Sequence, residues 1–296
     1  MESIDIKKMS NCTFEEVLVA WNKGFEGYHV DVTLTEEKLL TNMVREGKYP
    51  NTSYVAFQAG EPIGILLNAI KPINGQTIAW NGGTGIAKNA RGHGIGQLLV
   101  ETALKLYEEK GVNTAYLEAI SNNDKAIKLY EKMGYDVIDR LSFLEANELT
   151  EDFSYTNEYE IKEYHSSNME KLPFYDGEVP WQCRFENVEG AMSCVVFKDG
   201  KPVSYFLKKT AVNGKGELVA TVLYQMGIDH NHAEVNDIIS FTLHNIFGPK
   251  SLNSNRLAIN FPHKNKMVLE YLLSHGFETK LEQVHMKKVM MEKAGS

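Results

Sequence analysis

The sequence predicts an α/β fold on a mixed (α+β) sheet, built twice in tandem. Three observations predict it. Strand, strand, strand, helix, strand, helix, strand is the order of the periodic segments in the first half. A glycine-rich turn, Arg91-Gly92-His93-Gly94-Ile95-Gly96, joins an extended stretch to a helical one. The second half repeats landmarks of the first in one register: Gly85 and Gly227, Asn123 and Asn265, and Gly134 and Gly276 share a single offset of 142 residues.

The elements follow in order. Phe14, Val17, Leu18, Trp21 and Phe25 make one face of a helix, and Thr35 is placed to cap a second that runs through Val44. Ser53 to Gln58 and Ile63 to Ala69 alternate around Gly60-Glu61-Pro62, a hairpin pattern. Thr77 to Ile86 reads as the next strand and ends where the glycine turn begins. The apolar-periodic run Gln97 to Lys110 is a helix, Leu117 to Ile120 a strand, and Asn123 to Met133 a helix capped by Asn123 and ended by Gly134.

In the second half, Val195 to Asp199 and Val203 to Thr210 repeat the hairpin around Gly200-Lys201-Pro202. The expected domains are 1–147 and 158–296, joined by the acidic stretch Glu145 to Glu160, read as a solvated connection.

The glycine turn is a phosphate cradle in form. Glycines let successive N–H groups converge, and the first turn of the next helix adds positive potential worth roughly 0.3–2 kcal/mol to an anion. A dinucleotide fingerprint would need glycine where Gln97 stands, and a P-loop would need Gly-Lys followed by Ser or Thr, which is absent. What remains is R-x-x-G-x-G. The second motif, Asn123-x-x-Ala126-x-x-Leu129-Tyr130-x-x-x-Gly134-Tyr135, follows directly.

Together these motifs resemble those of the GNAT acyltransferases, the Gcn5-related N-acetyltransferases, over about residues 1–145. The resemblance implies a GNAT fold, here in two tandem copies. It also implies an acetyl-CoA-dependent N-acetyltransferase acting by direct attack of a primary amine, of a small molecule or a peptide, on the thioester. The cofactor would lie along Gly85, Ile86 and Ala87, on the turn Arg91, Gly92, His93, Gly94, Ile95, Gly96 and Gln97, and beside Asn123 and Tyr130. One N–H of residues 85–87 would meet the thioester oxygen.

Tyr130 matches the family's general acid, and its alternative role is a core tyrosine. Asn123 is equally placed as a plain cap. Arg91 would grip phosphate or pair on the surface, while His93 is expected in solvent. Glu118 is the candidate base, although period-2 alternation would equally turn it away. Glu26, Tyr28, His29, Asp31 and Trp80 are candidates for the acceptor side, with packing the alternative for the aromatics.

In the second half, Ala233 to Ile238 stand opposite the cradle, with two carboxylates and no glycine, and Leu272 stands opposite Tyr130. This copy is therefore expected to lack the cofactor motif and to shape the substrate cleft or pack. A non-catalytic acyl-CoA-binding sensor or scaffold is the alternative function.

Thirty-one basic against 39 acidic residues, net −8, disfavours nucleic acid and anionic membranes as partners. Cys12, Cys183 and Cys194 have no metal-ligand spacing, so no metal is expected and reduced thiols are. With no apolar leader or membrane-length run, a cytoplasmic location is expected.

Overall fold

The structure, a computed structural model, describes residues 3–28, 31–156 and 158–290, apart from the side chain of Ser166. Its contacts divide it into two compact units. The first runs to Ile138 and takes back the chain from Val284, and the second is Asp139–Gln283.

The first unit contains β1 (Ile4–Lys8), α1 (Phe14–Gly24), α2 (Glu36–Glu46), β2 (Tyr54–Gln58), β3 (Glu61–Ile73), β4 (Gln76–Ile86), α3 (Ile95–Glu109), β5 (Thr114–Ile120) and α4 (Asp124–Lys132). Thr13 caps α1 in a reciprocal box with Glu16, and Thr35 caps α2 by accepting from the N–H of Lys38. Strands β1 to β4 form an antiparallel meander in sequence order, and β5 adds parallel to β4. One face buries Leu99, Ala103 and Leu106 of α3 against Ala79 and Leu117, and the other buries Val17, Trp21 and Leu39 against Val55, Ile65 and Leu67. Strand β1 is an addition to the predicted order, because its alternation is hidden among charges.

The last strands of the two units are exchanged along the chain. In β6 (Asp136–Ala146), the residues from Asp139 belong to the second unit, where Leu141 to Ala146 pair with β11 (Asn255–Pro262). In β12 (Glu278–Val289), the residues from Val284 belong to the first unit, where Val284 and Met286 enter the core and the N–H of Met290 donates to the carbonyl of Asn113. The contact division thus differs from a cut between 147 and 158.

The expected solvated linker is corrected in part. Glu151 and Asp152 are exposed, but Leu149, Phe153 and Tyr159 are buried in the second unit's core, and Phe153 stacks on His275 at 4.7 Å. Burying these three apolar side chains outweighs the solvation of the charges between them.

The second unit continues with β7 (Glu160–Glu163), β8 (Met192–Lys198), β9 (Lys201–Val212), β10 (Leu218–Ile228), α5 (Val235–Phe247), β11 and α6 (Lys266–Ser274). Its hairpin copies the first: Gln58↔Glu61 and Lys198↔Lys201 close equivalent turns, and each carries a bulge, after Ala56 and after Val196. Ile65↔Gly85 has its counterpart in Tyr205↔Gly227, so the repeat is structural, with the hairpin offset by 140 residues and the paired glycines by 142.

The cradle is not repeated. Glu234 precedes α5 without a side-chain cap, and its carboxylate accepts from Lys198 Nζ and, at 3.1 Å, from the Tyr159 hydroxyl. A fixed negative charge thus stands where the first unit has Gly94. Among the described residues, no helix is long and apolar enough to cross a membrane, and no group of three or more His, Cys, Asp or Glu is arranged to hold a metal ion.

Candidate functional site

Strands β4 and β5 pair only from Ile78↔Thr114 to Asn81↔Leu117 and then separate. The gap opens into a cleft of about 490 Å³, between the end of α1, the β4–α3 turn and the start of α4. Gly85, Ile86, Arg91, Gly92, Gly94, Ile95, Gly96, Gln97, Asn123, Tyr130 and Tyr28 line it, eleven positions the sequence singled out.

The turn is shaped by Gly92 (φ 84°) and Gly94 (φ 80°), both in the left-handed region that side chains resist. A Cβ at either position would meet nothing within 4 Å, so the concave side of the turn is open. Gly94 is the N-cap of α3 and offers no side chain, and the first turn holds no acid. The N–H groups of Ile95, Gly96 and Gln97 therefore lack intrahelical acceptors and sum their dipoles toward the cleft. Gln97's side chain is tied to Glu101 and Lys132, which leaves its main chain for the cradle. Lys125, not singled out by the sequence reading, adds a cation at the rim.

Arg91 does something other than the forked phosphate grip expected of it. Its Nε donates to the carbonyl of Ile86 at 2.8 Å, and its Nη2 to the carbonyls of Glu26 (2.8 Å) and Gly24 (3.3 Å). The guanidinium braces the cradle to the end of α1. His93 is exposed, with Nδ1 3.4 Å from the carbonyl of Ala90.

Along β4, the Ala87 N–H donates to the carbonyl of Ile63 at 2.8 Å. Antiparallel alternation then turns the Gly85 N–H to β3 as well, and leaves Ile86 N–H facing the splayed side. Of the three expected donors, Ile86 alone faces the gap. Ala87 is buried and lines a neighbouring groove together with Glu26. Gly85 is needed for packing, since a Cβ there would lie 2.8 Å from the Phe25 ring.

Tyr130 is buried, and burial pushes its phenol up to about 12, against lowering bonds to Thr84 and Asn81. Asn81 and Thr84 are bonded to each other, Nδ2 to Oγ1 at 2.9 Å. This pair on β4 faces the tyrosine of α4 across the gap, and sequence reasoning missed it because neither residue belongs to a motif. Asn123 accepts from the Ala126 N–H at 3.3 Å as a cap and also bonds the Tyr28 hydroxyl. Burial is the main cause of the raised Tyr28 phenol.

Glu118 and Trp80 lie outside the cleft lining. Trp80, fully buried, donates from Nε1 to Glu118 Oε2 at 2.8 Å, and Glu118 Oε1 is 3.8 Å from Nε2 of the buried His285. Glu118 shares a sheet face with Tyr116, on which His285 stacks at 5.4 Å. Trp80 is thus a packed hydrogen-bond donor rather than an acceptor-pocket wall. The His285 contribution was invisible in the sequence, 167 residues from Glu118. Asp31 is exposed; bonds from the Thr33 hydroxyl and, at 2.9 Å, from the Thr33 N–H hold its carboxyl below the usual range, and His29 lies outside the described residues.

A mixed sheet split between β4 and β5, with a glycine cradle leading into α3, defines the GNAT fold. The model of the Acetyltransferase (GNAT) family matches residues 14–135. Those residues, less than half of the chain, are similar to that family. It is similar to the Uncharacterized N-acetyltransferase YdgE of Bacillus subtilis, 29% identical over 102 residues, which is 33% of this chain and 65% of that protein's length.

Two solved structures share the fold over the whole chain. A GCN5-related N-acetyltransferase from Sphaerobacter thermophilus has a TM-score of 0.64 at 11% identity, covering 97% of this chain and 95% of its own. A tandem GNAT protein from the clavulanic acid biosynthesis pathway has a TM-score of 0.55 at 13% identity, covering 98% and 100%.

Proposed function

We propose that the protein transfers the acetyl group of acetyl-CoA to a primary amine, of a small molecule or a peptide, by direct attack. One observation carries the reading. An open anion cradle and a buried, protonated tyrosine line the same cleft. Acetyl-CoA, as co-substrate, supplies the activated thioester.

The chain's own groups then have distinct tasks. The N–H groups of Ile95, Gly96 and Gln97 hold a diphosphate, with Lys125 at the rim. The Ile86 N–H is the donor for the thioester oxygen, a contribution typically worth about a hundredfold or more in rate. Gly85 floors the channel rather than donating, Ala87 lies behind it in the neighbouring groove, and Arg91 fixes its mouth. Tyr130 holds a proton for the departing sulfur, oriented by Thr84 and Asn81. Glu118, fixed by Trp80 and beside His285, takes the proton of the attacking amine through water. Tyr28 and Glu26 border the acceptor side.

The test is release of free thiol from acetyl-CoA on addition of an amine panel that includes alkylamines, amino sugars, amino acids and a lysine peptide. Amine-dependent release supports transfer. Tight binding of coenzyme A without release to any of them would leave the cleft as a sensor and overturn the reading.

A further inference from the structure

The second unit holds a cavity of its own, at the repeat of the cofactor gap. Strands β10 and β11 pair from Ala220↔Asn255 to Leu223↔Ala258 and then part, and the space between them, about 380 Å³, is bounded by Gln225, Asn260 and Asn265. These three amides are 5%, 1% and 8% exposed. Each is anchored through its nitrogen. Gln225 Nε2 donates to the carbonyl of Cys183 at 2.6 Å, Asn265 Nδ2 to the carbonyl of Met226 at 2.9 Å, and Asn260 Nδ2 to Gln182 Oε1 at 3.1 Å. A main-chain carbonyl accepts only, so the orientations of Gln225 and Asn265 are fixed.

The consequence is three buried amide oxygens, Gln225 Oε1, Asn260 Oδ1 and Asn265 Oδ1, with no hydrogen-bond partner. Folded proteins rarely leave one such acceptor unmet, and here three border one space. Asn260 sits at φ 48° within the irregular stretch of β11 between Ala258 and Phe261, a costly backbone for a strand.

The rest of the lining selects the ligand's charge. Aromatic faces come from Tyr175 and Tyr205, and two carboxylates, Asp176 and Glu178, stand against one lysine, Lys264, itself bonded to Asp176 at 2.5 Å. Acceptor oxygens and ring faces favour a cation bearing N–H groups. They disfavour a nucleotide or a carboxylate, whose oxygens would face oxygens.

We propose that this cavity binds a small organic cation with two or more N–H donor groups, held by the oxygens of Gln225, Asn260 and Asn265. The reading goes beyond acetyl transfer and does not depend on it. The experiment is calorimetric titration of the full chain, saturated with coenzyme A, using 1,5-diaminopentane as probe and 1,5-pentanediol and glutarate as size-matched controls. The diamine is expected to bind at least tenfold more tightly than the diol, and glutarate not at all.

Gln225→Met removes one oxygen at nearly constant volume, and Asp176→Asn removes one carboxylate from the cavity edge. Each is expected to weaken the diamine at least tenfold. Gln225→Met also deletes the bond to the Cys183 carbonyl, so some fall in the melting temperature of the unliganded protein is expected beside the loss of affinity. Diamine affinity that survives both substitutions places the probe elsewhere and overturns the proposal. So does equal binding of diol and diamine, or absence of diamine binding up to millimolar concentration.

Discussion

Two alanine substitutions two residues apart separate the cradle from its surroundings. Gly94→Ala puts a methyl group on a residue at φ 80°, where an L-residue costs roughly 1–2 kcal/mol, and directs that methyl into the open concavity. Gly96 lies in the first turn of α3, and a Cβ there would rest 3.5 Å from Leu129 Cδ2 and 3.8 Å from Ile86 Cγ1, ordinary contacts. Gly96→Ala therefore gains helix propensity, up to about 1 kcal/mol, without obstruction.

Urea unfolding and calorimetry with coenzyme A read both quantities. Gly94→Ala should lose about 1 kcal/mol of stability and at least tenfold in affinity, which corresponds to about 1.4 kcal/mol. Gly96→Ala should gain stability and bind within about twofold of the parent. Equal affinity in the two variants, or a Gly94→Ala protein that binds coenzyme A normally, would refute the cradle.

Tyr130→Phe should lower kcat by about a hundredfold or more while coenzyme A affinity stays within a few-fold, measured by thiol release and calorimetry. Because burial lifts the Tyr130 phenol to about 12, it stays protonated above the usual tyrosine range. The pH–rate profile should rise with amine deprotonation and show no falling limb between pH 7 and 10. The same shift has a sign for stability: between the unfolded value near 10 and the folded value, the native state binds more protons, so stability falls as pH rises through that window, read by urea unfolding at pH 9 and 11. Arg91→Ala removes three bonds to main-chain carbonyls and should cost about 1–2 kcal/mol in urea unfolding while raising the KM for acetyl-CoA. Glu118→Gln keeps an acceptor for Trp80 and should lower kcat/KM by about a hundredfold or more, with the melting temperature nearly unchanged.

Much of the cleft was legible because its shape is set by the main chain. Gly92, Gly94 and Gly96 leave a mark in sequence, as do the Asn123 cap and the Gly134 exit, and the strand-to-helix setting fixes where they point. The bonds of Arg91 were not legible, because a motif records an arginine but not the carbonyls of Gly24, Glu26 and Ile86 that its donors reach. Which N–H of residues 85–87 faces the gap was not legible, because ladder parity decides it, and parity depends on the bulge between Leu66 and Asn68 and the register of β3 against β4. The exchange of β6 and β12 left no trace, since Leu144 and Met286 alternate equally well in either sheet. Nor could any spacing show that His285 meets Glu118, or that Gln225, Asn260 and Asn265, each with an unmet oxygen, line one cavity. These are long-range juxtapositions of residues with no local signature.

A crystal structure with coenzyme A tests the central claim most directly. The account predicts the diphosphate within hydrogen-bonding distance of the N–H groups of residues 95–97, with the thiol end near the Ile86 N–H and the Tyr130 hydroxyl. A coenzyme seated elsewhere, with the glycine turn untouched, would contradict it.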